Sequence, residues 1–220
     1  MTDEAPAPNA GAIVAVLNAH GVDYVVIGAF AAQASGAPIP PTLDIDFTPS
    51  SSPENVRRIA DALRALGARL RVAGTPDGVP FDPVPQLIVQ MAMLNLTCRY
   101  GDFDLAFHPS GTGGFDDLTV RATTVLIGDT QARVAALADV IRSKRAAARP
   151  KDLRVLPTLE QYARSRGIEL GAARSEQRRP GSTVAESIDG LPGPRRARSG
   201  PGYAPRWRIC LRADGLHSIA

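Results

Sequence analysis

Two hydrophobic periods run through this chain, and together they predict both helices and strands. Segments with an apolar side chain at every third or fourth position predict helices, at residues 9–20, 28–36, 51–67, 86–94, 137–148 and 150–167. Segments rich in β-branched and aromatic side chains predict strands, at residues 22–28, 42–48, 68–73, 94–100, 102–107, 118–127 and 131–136. The Gly- and Pro-rich residues 74–85 predict a loop. Because strands and helices mix without strict alternation, we predict an α+β fold, a small mixed sheet with helices packed on it.

The distribution of charge divides the chain in two. The net charge is +3, but residues 171–220 carry 9 Arg against 4 Asp or Glu, so this tail holds +5 and residues 1–170 hold −2. The tail also contains 5 Pro and 7 Gly and has no apolar period, which is typical of disorder. We therefore predict one domain over residues 1–170 and a disordered tail, which is either a solvated extension or a contact for nucleic acid.

The sequence shows no sign of export. The first ten residues, MTDEAPAPNA, are acidic and lack the order of a signal peptide, and no apolar run reaches the roughly 18 residues that span a membrane. Cys98 and Cys210 lie far apart and form no metal-binding pattern. We expect a cytoplasmic protein with reduced cysteines and no membrane partner.

The segment TLDIDF, residues 42–47, places two carboxylates on one predicted strand. Residues two apart share a face of a strand, so Asp44 and Asp46 point the same way, roughly 6–7 Å apart along the chain. Two carboxylates this close repel each other, and Mg²⁺ is typically held by one or two carboxylates together with phosphates. The pattern therefore indicates either a magnesium site or two solvated acids on an exposed edge strand.

Two further features favour the magnesium site. Gly28 lies between a predicted strand and a predicted helix, and backbone N–H groups at such a turn can hold a phosphate. Asp104 lies between apolar residues on a later predicted strand and could join the first two acids if the strands are neighbours. Asp102 shares the face of Asp104 and competes for the same role.

Lysine is rare in this chain. Only Lys144 and Lys151 are lysines among 25 basic residues, so the chain uses Arg almost wherever a cation is needed. Lys144 is either a site residue or a cation that favours the C-terminal end of its helix. Asp152 is either a polar site residue or a favourable first-turn acid of the next helix.

These segments together resemble the nucleotidyltransferase superfamily with the polymerase-β-type fold. The resemblance rests on VVIGAFAAQ, TLDIDF and DFDLAF, and it covers roughly residues 10–166. The later stretch IRSKRAAARPKDL resembles the segment with a lysine followed by Lys-Asp in toxin-type nucleotidyltransferases, including the AbiEii-like and mycobacterial tRNA-modifying toxins.

The resemblance implies a role for each of these residues. Asp44 and Asp46 would bind Mg²⁺ and the nucleoside triphosphate, and Asp104 would be a metal ligand or the base that deprotonates the acceptor. Gly28 would hold the phosphate turn, and Thr42 would hydrogen-bond phosphate.

Two more residues belong to the implied site, and one departs from the family pattern. Lys144 would contact phosphate and Asp152 would complete the polar site. Ala29 stands at the phosphate turn where the family usually has Gly or Ser, which keeps the backbone N–H but removes a hydroxyl or a flexible glycine.

We therefore expect a Mg²⁺-dependent enzyme that moves a nucleotide monophosphate from an NTP, such as ATP, to an acceptor. The resemblance implies RNA (tRNA) or protein as the acceptor in a toxin–antitoxin setting, with a possible antitoxin partner. Two alternatives stay open, namely an antibiotic or other small-molecule nucleotidyltransferase and a catalytically silent nucleotide-binding protein.

Overall fold

The computed structural model describes residues 8–170, which hold seven helices and one sheet of eight strands. The helices are α1 (Ala10–Ala19), α2 (Gly28–Ala34), α3 (Pro53–Leu66), α4 (Pro85–Ile88), α5 (Phe115–Thr119), α6 (Leu137–Ala147) and α7 (Pro150–Ser165). The strands are β1 (Tyr24–Ile27), β2 (Asp44–Pro49), β3 (Arg69–Val72), β4 (Thr75–Pro80), β5 (Met93–Cys98), β6 (Gly101–Ala106), β7 (Thr123–Ile127) and β8 (Thr130–Val134). The tail predicted to be disordered, 171–220, lies outside the described residues.

The strands follow the order β4-β3-β5-β6-β2-β1-β8-β7 across the sheet. Two neighbouring pairs, β2 with β6 and β1 with β8, are parallel, and the other pairs are antiparallel. This mixed sheet with helices packed on it confirms the predicted α+β class.

Apolar and acidic side chains alternate along the central strands β2 and β6, so each strand has one face in the core and one polar face. Ile45 and Phe47 on β2 and Phe103 on β6 are fully buried, and Phe47 makes edge-to-face contacts with Phe103 and with Tyr24. The burial of these large side chains fixes which face of β2 and β6 is turned inward. The intervening residues of both strands are aspartates, and they point to the opposite face.

The helices pack on one another in two groups. In one group α3 contacts α1 and α4, and in the other α6 contacts α2 and α7. The second group borders the polar face of β2 and β6, and a cleft of about 740 Å³ lies between them. Within residues 8–170, no helix is long and apolar enough to cross a membrane.

Three predicted elements differ from the structure. Residues 74–85 were predicted to be a loop, but Thr75–Pro80 pairs with β3 as an edge strand. An edge strand tolerates proline because its outward N–H groups have no ladder partner, and this explains Pro76 and Pro80.

The helix predicted at 86–94 and the strand predicted at 118–127 are both too long. The helix is confined to Pro85–Ile88, because Met93 and Leu94 pair with β6, and their burial alternates as in a strand. The strand begins only at Thr123, because the residues from Phe115 to Thr119 form α5.

Candidate active site

The parallel pairing of β2 with β6 places four aspartates on one face of the sheet. In the register of the two strands, Asp44 lies opposite Asp102 and Asp46 lies opposite Asp104. The two-residue spacing on each strand and the pairing between the strands therefore bring all four side chains together. The exposed-edge interpretation of the first two acids is wrong, because β2 lies between β6 and β1 near the centre of the sheet.

Three of the four aspartates form a cluster that could hold a metal ion. One carboxylate oxygen from each of Asp44, Asp46 and Asp104 lies within 4.8 Å of the others. Burial, together with the neighbouring Asp44 and Asp104 carboxylates, raises the pKa of Asp46 to about 7. Hard divalent cations such as Mg²⁺ bind carboxylate oxygens, so the residues present fit such an ion in both donor type and charge.

Asp104 and its competitor Asp102 share the contact with Arg71, but only Asp104 belongs to the cluster. The guanidinium of Arg71 donates to Asp102 Oδ2 at 2.7 Å and to Asp104 Oδ1 at 2.6 Å. Asn95 Nδ2 donates to the other oxygen of Asp104 at 2.9 Å. Asp104 is therefore fixed in orientation within the cluster, while Asp102 lies outside the cluster and anchors Arg71.

Arg71 and Asn95 were missed by the sequence analysis. Each lies on a strand whose sequence pattern does not mark a site, and β3 reaches the cluster only because it pairs with β5 beside β6.

Among the residues predicted to contact phosphate, Thr42 is the one that makes a hydrogen bond inside the carboxylate cluster. Its hydroxyl donates to Asp44 Oδ1 at 2.7 Å, so Thr42 orients that carboxylate.

Gly28 lies directly against the cluster. It is the first residue of α2 and has a φ of +70°, a conformation that side chains with a Cβ rarely adopt. A Cβ at this position would lie 1.9 Å from Asp46 Oδ2. The glycine that the sequence analysis assigned to a phosphate turn is therefore also required for the position of Asp46.

A buried ion-pair network forms the opposite side of the cleft. Asp152 is fully buried, and its two oxygens accept from Lys144 Nζ at 2.8 Å and from Arg149 Nε at 2.6 Å. Burial alone would raise the pKa of Asp152, but the hydrogen bonds from Arg149 and Lys144 outweigh it and hold that pKa below its usual value. Lys144 is thus fixed by Asp152 at the point where α6 meets α7.

All eight residues predicted for the site line this one cleft, namely Gly28, Ala29, Thr42, Asp44, Asp46, Asp104, Lys144 and Asp152. Lys151 and Arg154 on α7 line it as well. The cleft therefore has an acidic side on the sheet and a basic side on α6 and α7. A ligand that carries negative charge and binds a divalent cation is complementary to both sides.

We expect the substitution Arg71→Met to weaken metal binding, because Arg71 fixes the orientation of Asp104. Loss of such a supporting contact typically lowers metal affinity about 10-fold or more. Mn²⁺ binding followed by electron paramagnetic resonance measures this directly. Arg69→Met is the matched control, because Arg69 lies on the same strand and bonds only backbone oxygens of residues 77 and 78. Tighter Mn²⁺ binding by Arg71→Met would instead show that Arg71 only competes with the metal for negative charge.

No protein-family model matches this chain, and no curated protein matches it. One similar solved structure is the lincosamide antibiotic adenylyltransferase LnuA bound to lincomycin. It shares 12% sequence identity with this chain, over 69% of this chain and 94% of that one, with a TM-score of 0.47.

Proposed function

We propose that this protein is a Mg²⁺-dependent nucleotidyltransferase that moves a nucleotide monophosphate from an NTP to an acceptor and releases pyrophosphate. The observation that carries the proposal is the cleft itself, in which the three clustered carboxylates face the basic residues of α6 and α7. A metal-bound triphosphate would satisfy the charge of both sides at once.

The acidic side of the cleft would bind the metal and accept the proton, and the basic side would stabilise the leaving group. Asp44, Asp46 and Asp104 would hold Mg²⁺, which when bound neutralises phosphate oxygens and orients the groups that react. An acceptor hydroxyl oxygen forms a bond to the α-phosphorus, and the bond from that phosphorus to the bridging oxygen of the β-phosphate breaks. The hydroxyl proton passes to a carboxylate, and Asp104 serves either as a ligand or as this base.

Lys144 and Asp152 act on the leaving group. The ammonium of Lys144 lies on the basic side of the cleft, where it stabilises the negative charge that develops on pyrophosphate. Asp152 holds Lys144 in place through their 2.8 Å ion pair. Gly28 and Ala29 supply backbone at the start of α2 on the other side of the triphosphate.

RNA is the acceptor that we propose, with tRNA as the first candidate. The support is the basic side of the cleft together with the nine arginines of residues 171–220, which suit a polyanionic acceptor. The toxin–antitoxin setting and an antitoxin partner stay predictions from the family resemblance. A small-molecule acceptor such as an antibiotic is the alternative, since a cleft of about 740 Å³ also accommodates one.

We expect the purified protein to transfer label from one of the four α-³²P-labelled NTPs to total bacterial RNA in the presence of Mg²⁺. The reaction should disappear without Mg²⁺ and in the double variant Asp44→Ala/Asp46→Ala, because the metal ligands are lost. Separation of RNA, protein and small molecules after the reaction identifies the acceptor class.

Each result of this experiment has a definite meaning. Label in RNA supports the proposed acceptor, and label in protein or in an added antibiotic replaces it. Label that persists in the double variant would show a contaminating enzyme. No label in any fraction, with NTP binding retained, would favour a silent nucleotide-binding protein, and Ala29 is then the first residue to change to Gly or Ser.

A further inference from the structure

The two edges of the sheet differ in how well they are protected against pairing with another strand. One edge is β4, and its six residues include Pro76, Pro80 and Asp77, which oppose the addition of a further strand. The other edge is β7, whose sequence TTVLI contains no proline, glycine or charged side chain. Within residues 8–170, β7 is therefore the edge that is open to a further strand.

The hairpin that joins β7 to β8 determines which backbone groups of β7 face outward. Its loop, residues 128–129, begins with a glycine at a φ of +62°, as a type II′ hairpin turn requires. Ile127 and Thr130 flank this turn and bond to each other. Since bonded pairs alternate along an antiparallel ladder, Thr124 and Leu126 direct their N–H and C=O groups away from β8. Among residues 8–170, no other element forms a backbone hydrogen bond with β7.

The side chains of β7 place apolar surface beside these outward backbone groups. Leu126 is 69% exposed, and Val120, just before the strand, is 80% exposed. Val125 lies on the opposite face of β7 and is half-buried. An exposed leucine alone is ordinary, but a leucine on an unpaired and uncharged edge is the combination that natural sheets avoid unless the edge has a partner.

The strand β7 is complementary to a second copy of itself in antiparallel orientation. In the register that overlaps all five residues, Val125 lies opposite Val125 of the second copy, and Thr124 lies opposite Leu126. The residues whose backbone groups face outward therefore meet each other and can form the alternating bonds of an antiparallel ladder. The two half-buried valines meet on the other face, where each covers its counterpart.

The charges that flank β7 favour the same register. Arg121 precedes the strand and Asp129 follows it, so the register places Arg121 of each copy opposite Asp129 of the other. The side chain of Arg121 is 55% exposed although it contacts Asp139. Asp129 is exposed and takes part in no ion pair found in the described part of the chain. Opposite charges that face each other across two strands stabilise the pairing, whereas parallel pairing in register would bring like charges together.

We propose that β7 is a homodimer interface, at which two copies of this chain pair their β7 strands antiparallel across a two-fold axis at Val125. The two sheets then form one continuous sheet. Because β4 opposes pairing at the other edge, the assembly closes at two copies and does not propagate. None of the residues that line the cleft lies on β7, so the pairing occupies neither cleft. The interface is independent of the proposed nucleotidyl transfer.

Sedimentation velocity of the full-length protein over a range of concentrations tests the interface. We expect the wild type to form a dimer, and Leu126→Lys to weaken the dimer about 10-fold, because a charge enters the edge twice across the two-fold axis. Circular dichroism checks that the variant is folded. Val79→Lys is the matched control, because Val79 is an exposed apolar residue on the opposite edge strand β4 and should leave the dimer unchanged.

Cross-linking through cysteine tests the register, in a full-length Cys98→Ser/Cys210→Ser background. Val125→Cys should form an intermolecular disulfide on mild oxidation, because the Cα atoms of such a directly opposed pair lie about 4.5 Å apart. Thr123→Cys is the matched control on the same face of the same strand. Its two copies would lie about 14 Å apart in this register, which is too far for a disulfide.

Four results would overturn the interface. They are a wild type that stays monomeric at the highest concentration that remains in solution, a dimer that Leu126→Lys does not weaken, equal cross-linking at positions 123 and 125, and growth into polymers. A monomer whose β7 amide protons are protected from hydrogen exchange would assign the edge to residues of the same chain outside 8–170 instead. A dimer that Leu126→Lys weakens and that cross-links only at position 125 supports the interface and its register.

Discussion

The substitution Asp46→Asn is expected to stabilise the metal-free protein and to abolish its stabilisation by Mg²⁺. The pKa of Asp46 is raised from 3.8 to about 7 by burial and by the Asp44 and Asp104 carboxylates. The folded protein therefore holds the proton more tightly than the unfolded chain does. As the pH rises from about 4 to about 7, the unfolded chain loses its proton first, so the free energy of unfolding falls over this window.

The size of this effect is large for a single side chain. The shift corresponds to on the order of 2–4 kcal/mol of destabilisation at a pH above 7. Asparagine has nearly the same shape and no charge, so it removes the repulsion and should raise the melting temperature by roughly 5–10 °C at about pH 8. At about pH 4 the two proteins should melt at similar temperatures, since Asp46 is then protonated in the folded state.

Thermal melting with and without Mg²⁺ tests both parts of this prediction. The wild type should gain stability from Mg²⁺ above pH 7, because the ion binds the folded state, whereas Asp46→Asn should gain little. Asp77→Asn is the matched control, because Asp77 is an exposed acid on the edge strand β4 and does not line the cleft. An Asp46→Asn protein that is less stable than the wild type at about pH 8 without metal would contradict the repulsion.

The substitution Gly28→Ala is expected to damage the fold and the carboxylate cluster together. A left-handed φ costs an alanine about 1–2 kcal/mol, and here the new Cβ would also lie 1.9 Å from Asp46 Oδ2. We expect the free energy of unfolding to fall by roughly 2–4 kcal/mol, since the Asp46 carboxylate must move away. Chemical denaturation and Mn²⁺ binding measure the two losses.

Gly74→Ala is a control that isolates the backbone strain. Gly74 also has a positive φ, of +81°, but a Cβ there would meet nothing within 4 Å. It should lose only the strain energy and keep its Mn²⁺ affinity. In an Asp46→Ala background, Gly28→Ala should cost little more than the strain, because the clashing carboxylate is gone and only the Cβ of residue 46, at 3.2 Å, stays close. Equal costs of Gly28→Ala in both backgrounds would show that the contact with Asp46 is unimportant.

Local patterns in the sequence were sufficient to predict most of the candidate cluster. Alternation within TLDIDF placed Asp44 and Asp46 on one face, and β2 has that alternation, with Ile45 and Phe47 turned to the core. The choice between Asp104 and Asp102 could not be made in this way, because both share a face and both pair with an acid of β2. Asp104 differs from Asp102 in its place within the cluster and in the hydrogen bond that it accepts from Asn95 on β5.

The errors in the fold have a similar origin in long-range pairing. Residues 75–80 have the composition of a loop and form β4 only because β3 provides a partner. Met93 and Leu94 follow a helical pattern and become strand because β6 lies beside them. The ion pair of Lys144 with Asp152 likewise joins two helices, so the sequence analysis could name both residues but not the contact between them.

The pairing of β2 with its neighbours also limits how the protein can change over evolutionary time. A slip of one residue in the register of β2 would turn Asp44 and Asp46 into the core and expose Ile45 and Phe47. An insertion or deletion within this strand therefore removes the acids and the packing in a single event. Such an event destroys the fold as well, so inactive descendants that still fold are expected to arise by substitution of residues that line the cleft, not by a change in the length of β2.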